Sequence, residues 1–235
     1  VCITIKAEDW FDISAPIVNN IYVDMPAAAR KVYEDMEKEM FAMLETGHEL
    51  EAFNAASRTI QCLQLANGAV YTDDKRADFQ DLHDVKLQAL DEIVEEANGM
   101  PVLVAYNFKH DLTRLKKAFP GAIDLRTSDG LRAAKRGEGR VWLGHPASMG
   151  HGVDGLQNHC NQLAFFGHWW NLEERLQIIE RVGPTRQKQA GFDRPVFIHN
   201  IIARGTVDEM VIERVNSKRE VQDILLDAMR RRKEK

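Results

Sequence analysis

The chain has 235 residues, 44% of them apolar and 29% charged, enough to bury one substantial core with a small appendage and unlike a disordered protein. A net charge of −5 excludes an overall basic nucleic-acid clamp and confines any basic surface to local patches. Cys2, Cys62 and Cys160 lie far apart with no C-x-x-C pair, which excludes a disulfide framework and suits a reducing, cytoplasmic compartment.

No apolar run approaches the roughly 20 residues needed to cross a bilayer, and "VCITIKAEDWFD" lacks the apolar centre of a signal peptide. A soluble intracellular protein is expected. The opening Val-Cys-Ile is read as the start of a piece of a longer polypeptide.

In chain order, "IVNNIYVDMP" has strand character, and "AAARKVYEDMEKEMFAML" has helical spacing that predicts an inward stripe of Val32, Met36, Met40 and Met43. Asn67-Gly68 marks a tight turn after the next helix, and "TDDKRADFQD" is a candidate loop or internal boundary. It divides a strand and helical segment, 1–80, packed on the remainder, from a second unit, 81–235. In "KLQALDEIVEEA" the residues Leu87, Leu90, Ile93 and Val94 share one face. The apolar runs "PVLVAY", "AIDLR", "VWLG", "QLAFFG" and "PVFIHNII", with helical or loop segments between them, predict an α/β fold: a parallel sheet covered by helices on both faces.

Ligands of such sheets gather beyond the carboxyl ends of the strands, and "HPASMGHGVDGLQ" occupies that place after "VWLG". Gly150 and Gly152 are first of all the mark of a tight turn, and they also fit a backbone nest for a phosphate. Five of the eight histidines lie from His145 to His199, but their spacing matches no ligand motif, so no metal site is predicted. In "WWNLEERLQIIERVGPTRQ", Asn171 is a helix cap. Leu172, Leu176 and Ile179 are expected to face inward, and Gln177 and Arg181 outward. "GPTRQ" is read as a helix-ending turn that delivers Arg186 and Gln187 to the same end. From Thr206, with Glu209 in capping-box spacing, one long terminal helix is expected. Its basic end, 230–235, is read as a solvated face that matches the helix dipole.

In this order the segments resemble the carboxyl-terminal RecA-like lobe of Swi/Snf-type superfamily-two helicases, in their bacterial and phage branch. "VLVAYNFKHDLTRL" is similar to helicase motif IV, "HPASMGHGVDGLQ" to motif V, and "WWNLEERLQIIERVGPTRQ" to motif VI. The likeness extends upstream through "YVDMPAAARKVY" and downstream through "GTVDEMVIERVNSK". It departs from the branch pattern at Asp154, where Asn is usual, at an extra Gly155, and at Pro184, where motif VI has its second arginine.

The resemblance implies a RecA-like lobe over 81–235 and a role as second motor lobe of an ATP-dependent DNA translocase. Asn107, Lys109 and Ser148 would meet the DNA backbone without reading sequence. Gly150, Gly152, Asp154 and Gln177 would face the nucleotide, and Arg181 and Arg186 are the two candidates for the arginine finger. His145 and His151 would shape the loop without acting as acid or base. No G-x-x-x-x-G-K-[ST] loop occurs, so ATP and Mg²⁺ would be held mainly by an amino-terminal lobe, and this chain alone would be inactive. Two other classes stay open: a non-catalytic nucleic-acid or protein-binding module on the same fold, and a stand-alone α/β enzyme acting on a small molecule.

Overall fold

The computed structural model describes residues 13–46, 49–73, 75–149, 153–217 and 221–233. Strand β1 (Ile17–Val23) leads into two long helices, α1 (Ala27–Thr46) and α2 (Glu49–Asn67), and then into a hairpin of β2 (Ala69–Tyr71) and β3 (Phe79–Asp81). Helices and strands alternate from there: α3 (Val85–Glu96), β4 (Val102–Ala105), α4 (Lys109–Ala118), β5 (Ile123–Asp124), α5 (Ser128–Lys135) and β6 (Val141–Gly144). A one-turn helix, α6 (Pro146–Met149), and a 3₁₀ turn at Leu156–Asn158 precede β7 (Gln162–Phe165). The chain ends with α7 (Leu172–Val182), α8 (Pro184–Gln189), β8 (Phe197–Ala203), α9 (Val207–Ser217) and α10 (Val221–Lys233).

Six strands form one sheet in the order β1-β8-β7-β4-β6-β5, and every neighbouring pair is parallel. The expected α/β class is therefore the observed one. Alternate residues of each strand feed opposite faces. Leu103, Ala105, Trp142, Leu163 and Phe165 pack with Ala134, Ile178 and Val182 from α5 and α7. Val102, Val104, Leu143 and Ala164 pack with Leu90, Ile93, Val94 and Leu115 from α3 and α4. The predicted inward face of α3 is thus present, with Leu87 only partly buried.

A third cluster joins α1 and α2 to α9 and α10 through Tyr33, Met40, Phe41, Leu63, Leu65, Val211 and Ile224. Here the predicted stripe of α1 is displaced. Val32 is 43% exposed, and Ala29, Tyr33 and Met40 are the buried row. The Tyr33 hydroxyl fixes this rotation by accepting from the Val207 amide at 2.7 Å and donating to Glu37 at 3.0 Å.

The chain before residue 80 contributes β1, an edge strand of the same sheet, along with α1, α2 and a β-strand hairpin. Gly68 is indispensable to the turn at Asn67: at φ +99° a Cβ there would lie 2.1 Å from the His83 carbonyl. The terminal segment, expected as one helix, is two. Val207 and Val211 of α9 and Ile224, Leu225 and Ala228 of α10 enter one cluster, and a straight helix of this length, at 1.5 Å per residue, would carry the second set away from it. Arg231 of α10 reaches back to Glu213 of α9 at 3.1 Å. Among the described residues no helix is long and apolar enough to cross a membrane.

Candidate functional site

Strands β4 and β6 lie side by side, so the segments following them meet beyond the sheet. After β6 the chain turns at once into α6, and Gly144 lets Leu103 and Met149 pack closely at the turn. A Cβ there would sit 3.2 Å from Leu103 Cδ1 and 3.3 Å from Met149 Sδ. His145 then joins two of the expected motifs. Its Nε2 donates to the Asn107 carbonyl at 3.1 Å, and its Nδ1 accepts the Ala147 amide at 3.2 Å. The Ser148 hydroxyl donates to the His145 carbonyl at 2.8 Å. Gly150, His151 and Gly152 lie outside the described residues.

The described loop resumes at Val153 and turns at Gly155, whose φ is +91°. Gln157 Oε1 accepts the Gly155 amide at 3.0 Å, and its Nε2 lies 3.4 Å from Asp154 Oδ1. The Gly155 amide first, and then the Arg186 charge, hold the Asp154 carboxyl below its ordinary range.

Asn171 caps α7, accepting the amides of Glu173 and Glu174 at 3.0 and 3.3 Å. The helix does not pack by the predicted leucine face. Leu176 is 60% exposed, and the buried row is Arg175, Ile178 and Val182. An arginine can lie inward here because its flat guanidinium stacks 3.6 Å from the Phe165 ring centroid and donates to Asn200 Oδ1 at 2.5 Å. Burial holds it down to about 9, still ionised at neutral pH.

This rotation aims Arg181 at the loop after β6, where Nη1 donates to the Val153 carbonyl at 3.1 Å. Its guanidinium is held below the ordinary arginine value by burial first and the Arg186 charge second. The segment read as a helix-ending turn is instead the start of a new helix, α8, with Pro184 in its first turn. Proline fits there because an amide at that position needs no helical partner. Two residues on, Arg186 Nη1 meets Asp154 Oδ1 at 3.1 Å. Gln187 points the other way, buried between the carbonyls of Cys160 and Val182 and the Arg194 guanidinium.

Of the residues expected to face nucleotide, Arg181 and Arg186 thus meet the loop that carries Asp154. Gln177 bonds Glu173 of its own helix at 3.2 Å. Among those expected to face DNA, Lys109 is exposed at the start of α4, with its amide donating to the Tyr71 hydroxyl at 2.8 Å. Asn107 and Ser148 flank His145 as described.

A buried polar chain beneath this surface was not among the expected residues. Lys86 Nζ donates to Asp208 at 2.6 Å, Asn67 Oδ1 at 2.9 Å and the Phe166 carbonyl at 3.2 Å. Asn67 Nδ2 donates in turn to Asp111 Oδ2, which also accepts the Phe108 amide, each at 3.0 Å. The start of α4 is therefore braced from α2, α3 and α9. The signal in the sequence was Lys86 itself, four and seven residues before Leu90 and Ile93, in phase with the apolar face of its helix. Among the described residues no group of three or more His, Cys, Asp or Glu could hold a metal ion.

No family model matches the sequence. Protein p41 of Acyrthosiphon pisum secondary endosymbiont phage 1 is 54% identical over 234 residues, covering 99% of this chain and 50% of the phage protein. The chain therefore spans half the length of this curated relative. Among solved structures, the C-terminal part of the Fun30 ATPase domain matches with a TM-score of 0.61 at 13% identity, covering 92% of this chain and 97% of that one. The Sulfolobus solfataricus SWI2/SNF2 ATPase core in complex with dsDNA matches at 0.60 and 17%, covering 86% and 44%. The Pyrococcus furiosus Hef helicase domain matches at 0.55 and 14%, covering 88% and 58%. At these identities the likeness is one of fold alone: a RecA-like parallel sheet flanked by helices.

Proposed function

We propose that this chain is the second motor lobe of a DNA-dependent ATPase and translocase of the Swi/Snf type, in its bacterial and phage branch. One observation carries the reading. The loop after β6 is bonded at His145 to the motif IV segment and at Val153 and Asp154 to Arg181 and Arg186. A single loop thus joins the residues expected at DNA to those expected at nucleotide. The fold likeness to an ATPase core in complex with dsDNA supports the same assignment.

In this reading an amino-terminal lobe carries most of the ATP and Mg²⁺ contacts, and this lobe closes over the nucleotide. Mg²⁺ would supply charge neutralisation on the phosphates. The contribution of this chain is a guanidinium, Arg181 or Arg186, brought to the phosphoryl group as its negative charge spreads in the transition state. Lysine would substitute poorly, because it lacks the planar fork that engages two phosphate oxygens. Asn107, Lys109 and Ser148 would bear on the DNA backbone, so movement would be indifferent to sequence.

The test is hydrolysis by two preparations. The 235-residue chain alone should release no phosphate from ATP with or without DNA. The same chain joined to an amino-terminal half, as in a protein of the phage relative's length, should show DNA-stimulated release. Stimulated hydrolysis by the chain alone, or none by the joined protein, would contradict the proposal.

A further inference from the structure

Arg181 and Arg186 hold neighbouring residues of one loop by different means. Arg181 binds a neutral backbone carbonyl, that of Val153. Arg186 binds a carboxylate, and the pair lies open to solvent, with side-chain exposures of 34% for Arg186 and 64% for Asp154. A tether of this kind ends on a carbonyl that is fixed in the loop backbone, so its acceptor cannot swing away as a side chain can. An exposed ion pair, in contrast, contributes little net stability and exchanges readily for a more highly charged partner. A polyphosphate is such a partner, and the arginine fork fits its oxygens two at a time.

We propose that Asp154 is the exchangeable counter-ion of Arg186, holding this arginine until phosphate displaces the carboxylate, while Arg181 remains the fixed tether of the loop. The inference rests on the reading of this face as nucleotide-facing and divides the two arginines, which that reading leaves equivalent. Asp154 is a positioning residue here. Its own orientation is set by the Gly155 turn and Gln157, which places a negative charge beside Arg186 without burying it. The carboxylate also offsets the repulsion between the two guanidinium groups. When Arg186 leaves for phosphate, Asp154 loses its ion pair to α8 while Val153 keeps its hydrogen bond to α7. The occupancy of the nucleotide face is thereby written onto the loop that begins at His145.

The experiment uses the chain labelled with ¹⁵N-arginine and follows the Nε–Hε resonances during titration with inorganic tripolyphosphate free of Mg²⁺. Wild type, Asp154→Asn, Arg186→Gln and the double variant are compared. The Arg186 resonance should move at lower tripolyphosphate concentration than that of Arg181. Asp154→Asn should raise the apparent affinity about fivefold, the scale of one exposed ion pair. In the Arg186→Gln background the same change should alter affinity by less than about twofold, because the competition it relieves is gone. Three results would overturn the proposal: no response of Arg186 in any variant, an Arg181 response that comes first, or an Asp154→Asn effect that persists without Arg186. The titration requires neither hydrolysis nor DNA, so its failure is distinguishable from failure of the motor reading.

Discussion

His145 spans the segments that follow β4 and β6 with one ring: Nε2 donates to the Asn107 carbonyl at 3.1 Å, and Nδ1 accepts the Ala147 amide at 3.2 Å. The ring also meets Tyr106 edge-on, with centroids 5.5 Å apart. Both ring nitrogens are thus engaged in hydrogen bonds to backbone groups. His145→Phe keeps the aromatic contact and removes both bonds. At about 0.5 to 1.5 kcal/mol for each bond, it should lower unfolding stability by about 1 to 3 kcal/mol in urea titrations. A variant as stable as wild type would show that the bond to Asn107 does not hold the two segments together.

The Lys86–Asp208 pair is fully buried, at 2.6 Å. Replacing Lys86 by Met strands the Asp208 carboxylate and the Asn67 amide oxygen, and should cost about 3 to 5 kcal/mol. Lys86→Met combined with Asp208→Asn leaves no uncompensated charge and should cost clearly less than Lys86→Met alone. Equal losses in the single and double variants, measured by denaturant unfolding, would mean that the pair does not act as a unit.

His168 is buried, with Nε2 donating to the Ile201 carbonyl at 2.9 Å. Burial lowers its pKa from the ordinary 6.5 to about 3. Between those values the unfolded chain binds a proton that the folded chain refuses, so stability is full above pH 6.5 and falls as the pH drops toward 3. At pH 5, 1.5 units below the unfolded value, His168 should account for about 2 kcal/mol of lost stability at 1.36 kcal/mol per unit. His83, lowered to about 4 chiefly by burial, acts in the same direction. The check is the loss between pH 7.5 and 5 in wild type and in His168→Gln. It should shrink by about 2 kcal/mol in the variant, and an unchanged loss would refute the assignment.

Lys109 stands exposed at the start of α4 with its backbone held by Tyr71. If it meets a DNA phosphate, Lys109→Ala should weaken binding alike on unrelated sequences. It should also flatten the slope of log affinity against log salt by about 0.9, the value for one phosphate contact on duplex DNA. Weakening confined to one sequence, or an unaltered slope, would remove Lys109 from the interface.

The sheet was legible because β4, β6 and β7 are short apolar runs buried at nearly every position, and period and length identify them without reference to partners. The rotation of α7 was not. Leu172, Leu176 and Ile179 form a regular stripe, but Arg175 competes for the inward position by stacking on Phe165 and bonding Asn200, residues that join it only in the fold. The displacement of α1 has the same origin, since Tyr33 is drawn inward by the Val207 amide, 174 residues away. At the candidate site, Arg181 and Arg186 could be singled out from spacing. Their contacts with Val153 and Asp154, and the start of a helix at Pro184, depend on how α7 and α8 lie against the loop. The buried chain from Asp208 to Phe108 was legible only at Lys86, because its other members come from four separate segments.

The most direct measurement is the DNA-stimulated ATP turnover of the joined two-lobe protein carrying Arg181→Ala or Arg186→Ala. Loss of a preorganised donor to transition-state charge costs at least about a hundredfold in turnover, and DNA affinity should change little. The account predicts that loss for Arg186→Ala. It assigns any loss from Arg181→Ala to the loop tether, to be seen also as a weaker response to DNA. Wild-type stimulated turnover in both variants would contradict the motor-lobe mechanism.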